Sequence, residues 1–78
     1  MTIPTMTKVK SSNIDEIGHD GSALYVRFRS AKPDVPGKLY RYPTCGPDEH
    51  DALLNAKSVG LHFIDRIKYF HDGEQVPE

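Results

Sequence analysis

The chain has 78 residues, 37% of them hydrophobic, and its charges nearly cancel to a formal net charge of −1. A domain of this length buries roughly 63% of its open-chain surface, so it has one thin core and little room for a deep pocket, which argues against an enzyme unless several chains assemble. It has no apolar run near the roughly 20 residues of a membrane span, and its single cysteine excludes an internal disulfide and favours a reducing, cytoplasmic location.

The N-terminal segment has no hydrophobic periodicity and lacks the basic-then-apolar layout of a secretory signal. This segment, residues 1–10, predicts a loose arm or an edge strand. Within it, residues 1–8 are assigned to a flexible arm outside the domain. Ile14 and Ile17 stand three apart, just before Gly18, which indicates a short first strand with a bulge. The sequence from His19 to Ser22 then favours a turn.

The second strand is marked by strict alternation from Ala23 to Arg29, with Leu24, Val26 and Phe28 on one side. A Pro-rich segment, Ser30–Gly37, is too long for a two-residue hairpin and predicts an extended loop of unassigned role. The third strand covers residues 38–42 and is stopped by a proline.

Two amphipathic helices follow. Pro47 opens the first, which runs to about Ala56 with Leu53 and Leu54 facing inward. Ser58 is typical of the cap of the second. The apolar residues at helical spacing after this cap are Val59, Phe63, Ile64, Ile67 and Phe70.

The resulting order is β-β-β-α-α. It predicts an α+β fold with a small three-stranded antiparallel sheet and two helices packed on one face. The other face of the sheet is expected to stay open to water or to a partner. The domain covers residues 9–71, and residues 72–78 form a polar tail.

The charges are unevenly distributed along the chain. Residues 23–42 contain five lysines and arginines against one acid, a local charge of +4, whereas the other residues contain five against ten, a charge of −5. Because side chains alternate along a strand, burying Leu24, Val26 and Phe28 places the intervening residues outside. The predicted outward set is Tyr25, Arg27, Arg29 and Arg41.

A ring among cations on a sheet can bind single-stranded nucleic acid by stacking and phosphate pairing. The alternative is an ordinary wet face whose arginines discourage edge pairing. Tyr40 and Tyr42 share the opposite face, where they belong either to the core or to a ligand site.

The start of the second helix is another candidate site, with Lys57, Ser58, Gly60 and His62. Glycine in a first helical turn is unfavourable by about 1 kcal/mol relative to alanine, and it permits a close approach to the backbone. The approaching group is either a phosphate or the neighbouring strand that carries Tyr40 and Tyr42.

The four histidines are too scattered for a metal signature, and nothing marks an orienting partner for a nucleophile pair of Cys45 and His50. We therefore expect no catalytic residue, no metal and no cofactor.

Taken together, the motifs resemble the KTSC domain. The residues that carry the resemblance are Ser11, Ser12, Ile14, Ile17, Gly18, Asp20, Leu24, Val26, Phe28, Tyr40, Tyr42, Leu54, Ala56, Ser58, Gly60, Phe63 and Ile67. This module of about sixty residues occurs at the C-terminus of some lysyl-tRNA synthetases and alone in short bacterial and phage proteins. The synthetase context implies RNA binding, and a phage origin implies the host cytoplasm. His19 departs from the tyrosine usual at its place in the family.

The leading function hypothesis is a non-enzymatic binding module for a phosphate-bearing ligand, either RNA or a nucleotide. The alternative is a protein-interaction or self-assembling module, such as a phage inhibitor of a host protein, which the near-zero net charge and short strands favour.

Overall fold

Five short strands form one antiparallel sheet in which neighbours follow chain order. The computed structural model describes residues 3–32 and 34–77. The strands are β1 (Met6–Lys8), β2 (Ile14–His19), β3 (Leu24–Phe28), β4 (Leu39–Tyr42) and β5 (Glu74–Gln75). Between β4 and β5 lie helix α1 (Pro47–Leu54) and helix α2 (Val59–Phe63), and α2 continues into a π-helical turn, Ile64–Lys68.

The α+β class and the antiparallel sheet with two helices are confirmed, but the predicted number of three strands is wrong. The additional strands are the edges: β1 pairs with β2, and β5 pairs with β4. They lie in the segments assigned to an arm and to a polar tail, where three and two residues are too few to show strand alternation. Of the predicted arm, loop and tail, Met1, Thr2, Pro33 and Glu78 lie outside the described residues.

The turn between β2 and β3 is held by one carboxylate. Asp20 accepts hydrogen bonds from the N–H groups of Ser22 and Ala23, both at 2.8 Å. These backbone hydrogen bonds favour the charged form and lower the pKa of Asp20. Gly21 has a φ of 97°, a left-handed conformation in which glycine carries no steric penalty. The turn therefore forms as its sequence predicts.

The strand register sets which side chains face the helices. The predicted bulge lies in β2, where the register with β3 shifts between Ile14 and Glu16. Leu24 stands opposite Tyr42 across β3 and β4. One buried cluster joins this face to the helices: Ile14, Ile17, Leu24, Val26, Tyr42, Cys45, Leu53, Val59, Phe63 and Ile67. Tyr42 is thus a core residue.

Helix α1 begins at Pro47 with Asp48 and Glu49 in its first turn, where acids complement the helix dipole. It ends at Leu54, two residues before the predicted end. No helix in the described part of the chain is long and apolar enough to cross a membrane.

The second helix is capped as predicted, because the Ser58 hydroxyl accepts the N–H of Leu61 at 3.4 Å. Phe70 continues the helical spacing of apolar residues in the sequence, yet it does not join the core, since 72% of it is exposed. In the π-helical turn each hydrogen bond spans one residue more than in an α-helix, which shifts the phase of the residues that follow. Ile67 is therefore the last buried residue of this segment.

The sheet face away from the helices carries a second buried patch, so the expectation of an open face is wrong here. Its members are Ala23, Tyr25, Leu39 and Val76, with Met6 packed against them. Met6 comes from β1 and Val76 directly follows β5, so the terminal segments cover this face. Gly18 makes room, because a Cβ there would lie 2.7 Å from the Met6 sulfur.

Candidate functional site

Tyr25 is not the exposed ring that strand alternation predicts. Only 1% of it is exposed, because Met6 and Val76 pack over it. Its side chain also hydrogen-bonds Asp20. The register does place Tyr25 on the same face as Arg27 and Arg41, yet a ring buried in this way offers no stacking surface.

The three predicted arginines have acidic partners on neighbouring segments. Arg27 lies 3.2 Å from Glu16, Arg29 lies 3.5 Å from Asp15, and Arg41 lies 3.3 Å from Glu74. The distances join a guanidinium nitrogen to a carboxylate oxygen in each case. The local charge of +4 is thus compensated in space by acids that are distant in sequence, and the sheet face is not a free basic surface.

The backbone ties two of these guanidinium groups further. Arg27 donates to the carbonyl of Gly37 at 2.9 Å. Arg29 donates to the carbonyls of Ser11 and Val9. Both side chains therefore brace loops as well as pairing with carboxylates.

The predicted site at the start of α2 is covered by the segment before β2. A Cβ on Gly60 would lie 2.5 Å from the Asn13 side-chain oxygen and 3.0 Å from the Ser11 hydroxyl. The close approach inferred from Gly60 is real, but the approaching group is this segment rather than the strand of Tyr40 and Tyr42. A hollow of about 260 Å³ remains beside Ser58 and Gly60.

The other two residues of this predicted site lie apart from that hollow. Lys57 is exposed. His62 lines a different hollow with Glu49 and His71, and its Nε2 atom is buried without a hydrogen-bond partner among the described residues. The structure therefore does not bring the four residues together as one ligand site.

Cys45 is fully buried, and this burial, helped by the charge of Glu49, raises the pKa of its thiol to about 11.

Both ring nitrogens of His19 have hydrogen-bond partners. Gly21 N–H donates to Nδ1 at 2.9 Å, and Nε2 lies 2.8 Å from the Cys45 carbonyl. Because a backbone N–H can only donate, Nδ1 accepts and Nε2 carries the proton. Across residues 3–32 and 34–77, no group of three or more His, Cys, Asp or Glu side chains could hold a metal ion.

A groove of about 740 Å³ lies on the helix side of the sheet, and we call it the loop groove. It lies between the loop after β3, the strands β3 and β4, and the α2 segment. Its lining consists of Asn13, Phe28, Arg29, Ser30, Ala31, Val35, Pro36, Gly37, Lys38, Tyr40, Tyr42, Phe63, Ile64 and Lys68. A volume of this size is typical of small-molecule sites.

Aromatic rings form one wall of the loop groove. Phe28 contacts Tyr40 and Phe63 edge-to-face, with ring centroids 5.5 Å apart in both pairs. Phe28 and Tyr40 are half-buried, whereas Phe63 and Tyr42 are almost fully buried. The accessible rings in the groove are therefore those of Phe28 and Tyr40.

The cationic residues that line the loop groove are Arg29, which is paired with Asp15, and two lysines. Lys38 precedes β4 and Lys68 ends the π-helical turn, and neither forms an ion pair with a carboxylate of the described residues. Sequence reasoning missed that Lys38 and Lys68 line the same groove, since they stand thirty residues apart in the chain. The local sequence signal that could have indicated this groove is an apolar residue, Val35, in a Pro-rich loop between two strands that end in aromatic residues.

Comparisons with known proteins agree with this architecture. The KTSC domain family model matches residues 10–70. A protein of Stutzerimonas stutzeri (strain A1501), described only as uncharacterized, is 37% identical over 65 residues, which are 81% of this chain and 83% of that protein. The crystal structure of a KTSC domain protein from Yersinia pestis is 27% identical and has a TM-score of 0.79, with 94% of this chain and 97% of that chain covered. The resemblance seen in the sequence is confirmed, and the chain belongs to the KTSC domain family.

Proposed function

We propose that this chain is a non-enzymatic binding module whose loop groove takes a phosphate-bearing ligand, namely a nucleotide, free or as part of RNA. The observation that carries the proposal is the position of Lys38 and Lys68, without acidic partners among the described residues, beside the half-buried rings of Phe28 and Tyr40. Ammonium groups pair with phosphate oxygens, and aromatic rings stack on bases. A cytoplasmic location accords with the single, buried cysteine.

The loop groove is a better candidate than the sheet face of Tyr25, Arg27 and Arg41. A ligand on that face would have to displace the existing arginine–carboxylate pairs and would find no exposed ring. In the loop groove the lysines form no such ion pair in the described part of the chain. Phosphate binding by these two lysines thus breaks no ion pair among the described residues.

Isothermal titration with adenosine 5′-monophosphate tests the proposal. We expect Lys38→Gln and Lys68→Gln each to weaken binding roughly two- to fivefold, as expected for the loss of one exposed charge pair. Lys57→Gln is the matched control, because Lys57 is an exposed lysine outside the loop groove. Absence of binding at millimolar concentration, or equal weakening by all three changes, would show that the proposal is wrong.

A protein-interaction module remains the second candidate, for a specific reason. Leu61, Tyr69 and Phe70 are 63%, 73% and 72% exposed. Tyr69 and Phe70 are consecutive, and exposed apolar patches mark interaction surfaces. Light scattering after size-exclusion chromatography tests self-assembly. If this candidate is right, the apparent mass increases with protein concentration and the double change Tyr69→Ser, Phe70→Ser returns it to the monomer value.

The sheet edges are poor routes to such assembly. Lys8 ends β1, Pro4 precedes it, and Pro77 closely follows β5. Lysine and proline at an edge strand hinder pairing with another chain. A self-assembling form would therefore use the exposed aromatic residues rather than the edges.

A further inference from the structure

The loop that borders the groove is anchored at its base. Phe28 N–H donates to the Lys38 carbonyl at 3.0 Å, and Arg27 donates to the Gly37 carbonyl at 2.9 Å. Gly37 also lies directly against the Phe28 carbonyl, where a Cβ would overlap backbone atoms. The chain therefore leaves β3 and enters β4 at fixed points, so both ends of the loop are held in place.

The outer part of this loop has its own turn. Lys32 N–H donates to the Ser30 hydroxyl at 3.2 Å, and Val35 N–H donates to the Lys32 carbonyl at 3.2 Å. This folding brings Val35 and Pro36 to the lining of the loop groove, which Phe28 and Tyr40 also line. Val35 is nevertheless 47% exposed, so part of its apolar side chain remains accessible to a ligand.

The loop borders a hollow on each of its sides, and the two differ in chemistry. The second hollow, of about 680 Å³, is lined by charged residues that already form ion pairs, including Asp15, Glu16 and Arg27. The aromatic rings of Phe28 and Tyr40 line only the loop groove. A planar ligand therefore has aromatic rings to contact on one side of the loop and not on the other.

Resting on the proposed function, we infer that the loop groove is a slot for a single aromatic base, with Val35 and Pro36 on one side and Phe28 and Tyr40 on the other. The ligand class is a nucleotide unit with an unstacked base and at least one phosphate. The base occupies the apolar slot, and the phosphate lies at the lysines of the groove. Such a site is largely formed before binding, which limits the entropy lost on association.

Asn13 lines the loop groove and offers a polar partner for the edge of the bound base. The Asn13 side-chain oxygen accepts the Ser11 hydroxyl at 2.8 Å, and this bond orients the amide. No hydrogen bond from its NH₂ group to another described residue occupies the two donors. They are available to the acceptor atoms that every base carries at its edge.

The test compares ligands that contain only part of the nucleotide. Adenosine 5′-monophosphate has base and phosphate, whereas ribose 5-phosphate lacks the base. We expect the nucleotide to bind roughly tenfold tighter or more, as stacking of one base implies. We also expect Val35→Ser to weaken nucleotide binding by about threefold or more and to leave ribose 5-phosphate binding unchanged. Leu61→Ser is the control, because Leu61 is an exposed apolar residue outside the loop groove.

The outcomes separate this inference from the proposal beneath it. Equal affinity for both ligands, with no effect of Val35→Ser, would overturn the base slot while leaving phosphate binding intact. If neither ligand binds at millimolar concentration, both the slot and the proposed function are wrong. NMR cross-peaks between base protons and the Val35 methyl groups would support the slot directly.

A further titration, with a hexamer of adenylate, distinguishes a free nucleotide from an unpaired base of an RNA strand. A hexamer that binds no tighter per nucleotide than the monomer, with a shallow salt dependence, supports a free nucleotide in the slot. A much tighter hexamer with a steep salt dependence supports one unpaired base of an RNA strand in the same slot.

Discussion

Polar side chains hold the backbone at the turn between β2 and β3. His19 bridges the turn after β2 and the Cys45 carbonyl, and Asp20 holds the same turn through two N–H groups. The Tyr42 hydroxyl has a pKa raised to about 12, first by burial and then by neighbouring Tyr40 and Cys45. At neutral pH the Asp20 carboxyl is therefore ionised and the Tyr42 hydroxyl protonated, which suits a structural role.

Cys45 reactivity is the first prediction at this scale. With a pKa of about 11, on the order of one thiol in a thousand is ionised at about pH 8. We expect a thiol-specific disulfide reagent to react with the native protein far more slowly than with protein unfolded in guanidinium. The reading is unambiguous because the chain has one cysteine. Complete labelling of the native protein at the unfolded rate would contradict the burial of this thiol.

The second prediction concerns acid stability. The pKa of Asp20 is lowered in the folded state from its usual value of 3.8, chiefly by hydrogen bonds from the Ser22 and Ala23 N–H groups. The unfolded chain therefore takes up this proton first, and the stabilisation is present above about pH 4 and lost as the pH falls through the folded pKa. Asp20→Asn keeps the acceptor but not the charge. We expect urea unfolding to show a lower stability for the variant at about pH 7 and a smaller loss of stability on acidification. An unchanged pH dependence would exclude this role.

At the scale of elements, the long central pattern is predictable and the short edges are not. Alternation in β3 correctly assigns Leu24, Val26 and Phe28 to one face, and the Ser58 cap correctly starts α2. The same alternation predicts that Tyr25 is exposed, because alternation shows only which face of the sheet a residue occupies and not whether that face is covered. Burial on that face depends on Met6 and Val76, which no local pattern connects to β3.

The terminal segments therefore contribute to stability, which is the third prediction. We expect Val76→Ala to lower the free energy of unfolding by about 1–2 kcal/mol, since Val76 is 9% exposed and covers Tyr25. Val35→Ala is the matched control. Because Val35 is 47% exposed, we expect this substitution to change the free energy of unfolding by no more than about 0.5 kcal/mol. Chemical denaturation measures both. Equal effects of the two changes would mean that the second patch contributes nothing.

The contact between α2 and the segment before β2 gives the fourth prediction. Gly60→Ala gains helix propensity, but its Cβ meets the Asn13 side-chain oxygen at 2.5 Å. We expect Gly60→Ala to be more favourable in an Asn13→Ala background than in the parent by about 1 kcal/mol. A double-mutant cycle of unfolding free energies measures this coupling. A coupling of zero would mean that Asn13 does not limit the space at Gly60.

At the scale of the whole molecule, tertiary structure relocates the candidate site. The sequence places its positive charge in the centre of the chain, whereas folding brings Asp15, Glu16 and Glu74 onto the arginines there. The lysines of the loop groove come from two distant segments, so no spacing in the sequence links them. The fold class and the family follow from local patterns, and the groove follows only from how the loop after β3 and the π-helical turn pack.

The proposed location of the ligand site is tested most directly by amide NMR spectra recorded during titration with adenosine 5′-monophosphate. If the loop groove binds the nucleotide, the largest shift changes fall on the amides of Phe28, Lys38, Tyr40 and Lys68, which line it. The amides of the sheet face around Tyr25 and Arg41 then change little. The largest changes at Tyr25 and Arg41, with none at Lys38 and Lys68, would contradict the assignment and return the site to the sheet face.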